Sequence, residues 1–323
     1  MDRNLALNLV RVTEAAALQS ARHLGRGDKI IAHQAAVDGM RKMFDTLSID
    51  GVVVIGEGEM DEAPMLYIGE QIGKVTKNSI KLDIAVDPLD GTTAVAKGLS
   101  NAISVVAVAP RGCLLHAPDM YMNKIAVGPR AAGKVNLDAP IEENLKNLSK
   151  ALNKDMSDIT VTMLDRPRHD DLINRVRKAG ARIKLFQDGD VAAAIATCFE
   201  DSGVDIMVGI GGAPEGVIAA AALKCMGGEF QGKLFPMNDE EKIRCKEMGL
   251  ICIEKVLTME DLAKGNELIF AATGISNGEL LKGVVYYENN MAKTYSVVMR
   301  AETGTIRFIE AIHRLDKKPE YAK

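Results

Sequence analysis

The sequence contains no tryptophan, and aromatic residues make up only 4% of its 323 residues. So few flat side chains argue against a surface that stacks nucleic-acid bases. The cysteines are odd in number and no two form a C-x-x-C pair, which is neither a disulfide framework nor a zinc pattern. We expect them to be small buried hydrophobic residues in a reducing compartment. They are Cys113, Cys198, Cys225, Cys245 and Cys252.

An excess of positive charge is also lacking, because 40 basic residues face 44 acidic ones and the net charge is -4. This balance gives no electrostatic footprint for nucleic acid or for an anionic membrane. No apolar run reaches transmembrane length, and the first residues lack the apolar core of a signal peptide. The expected protein is therefore cytoplasmic, with a small molecule as its partner and neither nucleic acid nor membrane.

The most informative stretch is residues 81–93, KLDIAVDPLDGTT. Its apolar first half predicts a strand that stops at Asp87, because Pro88 cannot donate to a ladder. Carboxylates bind hard cations such as Mg²⁺ or Mn²⁺, and the N–H groups that open a helix bind phosphate. This combination indicates metal-assisted attack of water on a phosphate ester. The alternative is an ordinary turn in which Gly91 bends the chain and Thr92 caps a helix.

A second acidic stretch follows the predicted strand 52–55 and reads GEGEMDE over residues 56–62. An isolated acidic run is usually a solvated loop. Beside the stretch at Asp87, however, it predicts a shared metal site, because ligands at adjacent strand ends can converge. A helix is expected over 64–73. Two amphipathic helices are expected earlier, over 3–24 and 29–46.

From about residue 158 the pattern alternates strand and helix, as in a doubly wound α/β unit. Three loops follow its strands: Arg166-Pro167-Arg168, Asp188-Gly189-Asp190, and a glycine-rich loop that leads to Glu215. Such loops lie where α/β folds bind ligands. Two arginines suit a phosphate and two aspartates suit sugar hydroxyls, so we expect an anion and hydroxyl site here.

These residues carry a resemblance to the metal-dependent sugar- and inositol-phosphatases, through Asp87-Pro-Leu-Asp-Gly-Thr92 and the acidic strand end at Glu57. Longer blocks resemble one branch, the bacterial class II fructose-1,6-bisphosphatases, nearly end to end. The blocks are GRGDK (25–29), VIGEGEMDEAPMLYIGE (54–70), APDMYM (117–122), RPRH (166–169), DGDVA (188–192) and GGAPEG (211–216).

The resemblance implies hydrolysis of fructose 1,6-bisphosphate to fructose 6-phosphate and phosphate in gluconeogenesis, with Mn²⁺ or Mg²⁺. It implies a layered α/β sandwich of the inositol monophosphatase and fructose bisphosphatase type. We expect two subdomains: residues 1–157, an α+β part with the metal site, and residues 158–323, an α/β part with the sugar and remote-phosphate contacts. A homodimer or homotetramer is also expected.

The resemblance assigns roles by position. The metal ligands would be Glu57, Asp87, Asp90 and Glu215. The catalytic residues would be Thr92, Asp87 and Glu57, with Thr92 helping to orient and deprotonate water beside a carboxylate. The substrate contacts would be Asp90, Gly91, Thr92, Tyr121, Arg166, Pro167, Arg168, Asp188, Gly189, Asp190 and Gly212.

Two positions depart from the family pattern. Asp90 stands where class II enzymes usually have Glu, which keeps the charge. His33 stands where the family has a metal-binding Asp, and an imidazole can bind Mn²⁺ but suits Mg²⁺ poorly. Three consequences stay open: a weaker metal subsite, a shift toward softer metals, or loss of turnover with ligand binding kept. Alternatively, His33 is simply a buried, hydrogen-bonded residue on a face with Val37 and Met40.

Other functions are weighed against this one. A related enzyme could act on sedoheptulose 1,7-bisphosphate, and a His33-impaired homologue could bind sugar phosphates without turnover. A nucleotide-binding dehydrogenase is disfavoured, because no G-x-G-x-x-G follows the first strand.

Overall fold

The computed structural model describes residues 4–58, 64–248 and 252–323. The helices are α1 Leu5–Ala21, α2 Lys29–Phe44, α3 Thr92–Lys97, α4 Ile141–Leu152, α5 Asp170–Lys178, α6 Asp190–Ala196, α7 Ala213–Met226, α8 Asp239–Glu247 and α9 Met259–Leu262. The strands are β1 Ile49–Ile55, β2 Gln71–Ile72, β3 Ile80–Asp90, β4 Ile103–Pro110, β5 Tyr121–Val127, β6 Thr160–Leu164, β7 Arg182–Phe186, β8 Ile206–Gly212, β9 Glu229–Phe235, β10 Ile269–Gly274, β11 Val285–Tyr287, β12 Met291–Arg300 and β13 Thr305–Arg314.

The chain forms two compact units, one of Met1–Leu114 with Gly265–Lys323, and one of Leu115–Lys264. These units do not coincide with the expected segments 1–157 and 158–323. The physical reason is strand pairing between distant parts of the sequence. β10 hydrogen-bonds to β4 in the first unit, and β5 hydrogen-bonds to β8 in the second.

The sheet of the first unit has the strand order β11-β12-β10-β4-β3-β1-β2, with β13 paired to β12. β1 and β3 run parallel, with Ile55 opposite Ala85, and β3 runs antiparallel to β4. Residues of α1, α2 and this sheet share one core, including Leu9, Met40 and Ile84. The two helices pack so closely that a side chain at Gly39 would come within 2.7 Å of the Ala15 carbonyl oxygen.

β3 continues to Asp90, so the prediction that it stops at Asp87 was wrong. Its pairing with β4 shifts register between Asp87, which faces Val105, and Asp90, which faces Ile103. Pro88 lies inside this irregularity, where the ladder requires no donor.

The sheet of the second unit has the order β7-β6-β8-β5-β9. β6 runs parallel to β7 and β8, and β5 runs antiparallel to β8 and β9. The predicted alternation is therefore present as β6-α5-β7-α6-β8-α7, and the α/β fold class is confirmed. Leu145 of α4 and Val176 of α5 belong to the core cluster under this sheet.

The helix predicted over 64–73 was wrong, since Gln71–Ile72 is a short strand and turns precede it. Backbone groups of this segment bond to β1 instead: Gly69 N–H donates to Val53 O and Val53 N–H donates to Glu70 O. In the described part of the chain, no helix is long and apolar enough to cross a membrane.

Candidate active site

The two acidic stretches of the first unit follow neighbouring parallel strands. Glu57 comes two residues after the end of β1, and Asp87 and Asp90 lie within the last four residues of β3. Because parallel strands end at the same edge of a sheet, both stretches lie at one sheet edge. Asp90 is buried, with 5% of its surface exposed. The rest of the acidic run, Glu59, Asp61 and Glu62, lies outside the described residues.

His33 contacts Glu57 directly, with 2.5 Å between Nε2 and the Oε2 carboxylate oxygen. The His33 side chain is 34% exposed, so it is not the buried core residue that one interpretation expected. The hydrogen bond to the Glu57 carboxylate raises the pKa of His33, because it stabilises the imidazolium. α2 thus places His33, the residue that differs from the family pattern, against a predicted metal ligand.

The turn after β3 differs from the expected one in one detail. Gly91, not Thr92, occupies the N-cap position of α3, and its φ of 103° favours glycine. Thr92 is the first residue of the helix and provides no side-chain cap, so that part of the prediction was wrong. Asp87 Oδ1 accepts the Leu89 N–H at 3.0 Å.

Lys29 is a basic residue at this turn to which the sequence analysis gave no role. Its Nζ donates to Thr93 Oγ1 at 2.8 Å, from the first turn of α2. Asp28 caps α2 by accepting the Ile31 N–H, which fixes where the helix begins. The block of residues 25–29 was the only signal in the sequence that could have found it.

In the second unit, β5 and β8 bring Tyr121 opposite Gly212. The guanidinium of Arg168 lies 4.9 Å from the centre of the Tyr121 ring, a cation–π contact. Its Nε and Nη2 both donate to Ile210 O, at 3.1 and 2.7 Å. Three predicted substrate contacts are therefore neighbours here.

His169 supports the same loop and was missed by the sequence analysis. Its Nδ1 donates to Leu164 O at 2.8 Å, and its Nε2 accepts the Ile210 N–H at 2.8 Å. This bonding requires the neutral ring, and burial lowers the pKa of His169. A side chain at Gly209 would come within 3.0 Å of the imidazole, which explains a glycine there.

Arg166 is held by the ends of two parallel strands. Its Nη2 donates to Gln187 O at 2.7 Å and its Nη1 to Asp165 O at 2.9 Å. Asp165 follows β6, and Gln187 follows β7 directly before Asp188. Pro167 begins a 3₁₀ turn that orients the two arginines differently.

Asp190 forms a buried ion pair that the sequence did not reveal. Its Oδ2 lies 2.6 Å from Lys124 Nζ, and the Lys124 side chain is only 1% exposed. Gly189, with φ 97°, precedes it at the N-cap of α6. A side chain at Gly211 would come within 1.9 Å of Asp190 Oδ2, so this glycine makes room for the carboxylate.

Glu215 lies in the first turn of α7. Its Oε2 is buried, and the described residues offer that atom no hydrogen bond. Burial raises the pKa of Glu215. A side chain at Gly212 would come within 1.9 Å of this oxygen. A buried carboxylate oxygen without a donor is what a cation ligand requires before the cation binds.

The predicted metal ligands fit a hard divalent cation in donor type, since four are carboxylates. Glu57, Asp87 and Asp90 belong to the first unit and Glu215 to the second. Within residues 4–58, 64–248 and 252–323, no three or more His, Cys, Asp or Glu side chains form a ready metal-binding group.

Comparison with known proteins gives consistent matches. A family model described as bacterial fructose-1,6-bisphosphatase, glpX-encoded, matches residues 3–313. The fructose-1,6-bisphosphatase 1 class 2 of Escherichia coli K12 is 47% identical over 331 residues, covering 98% of this chain and 97% of the relative. The fructose-1,6-bisphosphatases class 2 of E. coli O6:H1 and of Shigella flexneri match with the same identity and coverage.

Proposed function

Because this chain belongs to the family of bacterial fructose-1,6-bisphosphatases, we propose that it hydrolyses fructose 1,6-bisphosphate to fructose 6-phosphate and phosphate in gluconeogenesis. The family consists of metal-dependent phosphatases. The observation that carries the proposal is the 47% identity over 98% of the chain. The strand-end placement of Glu57, Asp87 and Asp90 is consistent with it.

The first unit is assigned the chemistry at the 1-phosphate. Glu57, Asp87 and Asp90 would hold the cation, and Glu215 is proposed as a further metal ligand. When bound, such a cation would supply positive charge at the phosphate and favour loss of a proton from the attacking water. Thr92 would orient the attacking water and pass its proton to a neighbouring carboxylate.

His33 bears on which cation is used. We infer a preference for Mn²⁺ over Mg²⁺, because imidazole nitrogen suits Mn²⁺ better than it suits Mg²⁺. The 2.5 Å contact between His33 and Glu57 supports this inference, since it brings the ring to a predicted ligand.

The second unit is assigned the sugar and the remote phosphate. Arg166 and Arg168 would bind the phosphate, because guanidinium groups match its geometry. Asp188 and Asp190 would accept hydrogen bonds from sugar hydroxyls, beside Tyr121. Backbone contacts would come from Gly91, Pro167, Gly189 and Gly212. We also propose a cytoplasmic location and a homodimer or homotetramer, the latter testable by light scattering.

The test measures phosphate release with Mn²⁺ or Mg²⁺, from fructose 1,6-bisphosphate and, side by side, from sedoheptulose 1,7-bisphosphate. We expect turnover of the fructose ester with Mn²⁺, less with Mg²⁺ and none after chelation. Equal or better turnover of the seven-carbon ester would move the assignment to that sugar. Calorimetric binding of the fructose ester without phosphate release would favour the binding-only alternative, and turnover restored in His33→Asp would assign the loss to His33.

A further inference from the structure

Arg41 of α2 has two carboxylate partners that differ in burial. Its Nη1 lies 2.5 Å from Asp45, the C-cap residue of the same helix, and that aspartate side chain is 56% exposed. Its Nε lies 2.6 Å from Glu70, whose side chain is only 11% exposed. The pair with Glu70 is the one that ties α2 to a segment far along the sequence, and a shielded pair depends more strongly on both partners.

The Glu70 carboxylate connects Arg41 to Leu66. While Oε1 receives Arg41, Oε2 accepts the N–H of Leu66. Leu66 is completely buried and has a φ of 57°, unusual for a residue with a branched side chain. Such a conformation persists only when its surroundings hold it, and the Glu70 carboxylate does so.

Leu66 in turn fixes Glu57. The Glu57 N–H donates to Leu66 O at 3.0 Å. A side chain at Gly56 would come within 2.0 Å of the same oxygen, so the two backbones meet closely. Ile68 N–H also donates to Gly58 O at 2.9 Å. A continuous path of hydrogen bonds therefore runs from Arg41 through Glu70 and Leu66 to Glu57.

The helix that carries Arg41 also carries His33, which contacts the Glu57 side chain. His33 precedes Arg41 by eight residues on α2, about two helical turns. His33 contacts the Glu57 side chain while Arg41, through Glu70, holds the Glu57 backbone. The imidazole and the carboxylate are in contact only if the backbone of Glu57 is held at the right distance from α2.

We propose that Arg41 and Glu70 are positioning residues that hold Glu57 against His33 for cation binding. This inference rests on the proposed role of Glu57 as a metal ligand. The hydrogen bonds of Arg41 and Glu70 go to each other, to Asp45 and to Leu66, so both residues act on Glu57 through Leu66. The position of Glu57 is thus set from outside the site.

The test compares Glu70→Gln with Asp45→Asn as a matched control, because both remove one carboxylate partner of Arg41. Mn²⁺ binding is measured by calorimetry on the metal-free full chain. We expect Glu70→Gln to weaken Mn²⁺ binding about tenfold or more, since outer partners of metal ligands have effects of that size. Asp45→Asn should leave it within about twofold, as for an exposed pair.

A second readout needs no metal: the ring ¹⁵N signals of His33 in the metal-free chain, assigned with a His33→Asn variant. Glu70→Gln and Arg41→Lys should both shift these signals, and Asp45→Asn should not. Circular dichroism checks that each variant is folded. Unchanged ring signals in the folded Glu70→Gln and Arg41→Lys variants would overturn the inference. If the unaltered chain bound no Mn²⁺, the proposed function would fail, and the ring signals would still decide this point.

Discussion

The two units hold the histidine and arginine side chains near the predicted sites in different ways. In the second unit, Arg166, Arg168 and His169 bond to backbone groups at the ends of β6, β7 and β8. In the first unit, His33 and Glu57 are held by each other. A backbone partner is part of the sheet and cannot move away, whereas a pair of side chains can open toward a competing cation. The difference suits the roles proposed for the units, which are a preorganised substrate-binding region in one and an adjustable metal region in the other.

One histidine in each unit shows the contrast. The carboxylate beside His33 raises its pKa, and burial lowers that of His169. The carboxylate partner favours the charged form of the first ring, and the second ring is a neutral bridge between two backbone groups.

Asp87→Asn should have the largest effect. Removing one carboxylate from the strand end weakens the hold on the cation, and cation stabilisation amounts to several kcal/mol, so turnover should fall about a thousandfold. The KM should change much less. Steady-state kinetics with Mn²⁺ measure both. Asp316→Asn, at a surface ion pair with Arg314, is the control and should keep normal turnover. Nearly unchanged turnover in Asp87→Asn would contradict the assignment.

Arg168→Met should raise the KM for fructose 1,6-bisphosphate by about ten- to a hundredfold, the value of one lost charged hydrogen bond. The kcat should change little, because the chemistry is assigned to the other unit. Arg182→Met is the matched control, since its side chain is 59% exposed and forms a surface ion pair with Asp158. A loss of kcat with an unchanged KM would refute the division of roles.

Tyr121→Leu should have a smaller effect on the same parameter. It removes the ring under Arg168, and an exposed cation–π contact contributes about 0.5–1 kcal/mol, or about a two- to fivefold rise in KM. Tyr121→Phe keeps the ring and should retain more of the affinity. If Phe were as poor as Leu, the hydroxyl rather than the ring would be what matters.

The two histidines should titrate on opposite sides of about pH 6.5, the ordinary value. In the metal-free chain, NMR titration should place His33 above it and His169 below it. The reverse order would contradict both hydrogen-bonding patterns. This is the smallest of the expected effects, because it is measured on the unaltered chain and concerns only the protonation of two side chains.

The same shifts fix the sign of the pH effect on stability. A raised folded pKa means that the His33 contribution is present below about pH 6.5 and is lost as pH rises through the folded value. The difference in urea midpoint between the unaltered chain and His33→Asn should therefore shrink from about pH 6 to about pH 8. A lowered pKa at His169 acts oppositely, costing stability as pH falls below about 6.5.

Much of the fold was predictable because apolar runs and periodicity mark β1, β3, α1 and α2. The neighbouring ends of β1 and β3 followed from the same reasoning. β9 was missed although it carried a signal, since buried Phe230, Gly232 and Leu234 alternate with polar residues. The pairing of β10 with β4 could not be predicted, because the two strands are far apart in sequence and no local pattern links them.

The contacts within the site were less predictable. The meeting of His33 with Glu57 depends on how α2 packs, which no local pattern contains. The buried Lys124 looks like any surface lysine in the sequence. The segment 64–73 was predicted to be a helix, whereas the Glu70 carboxylate within it accepts hydrogen bonds from Leu66 and from the distant Arg41.

The most direct test of the division between the units compares two substrates in two proteins. The kcat/KM is measured with Mn²⁺ for fructose 1,6-bisphosphate and for fructose 1-phosphate, in the unaltered chain and in Arg168→Met. If the second unit binds the remote phosphate, Arg168→Met should impair the bisphosphate reaction and leave the slow reaction of fructose 1-phosphate unchanged. An equal loss with both substrates would contradict the account, because Arg168 would then serve something other than the 6-phosphate.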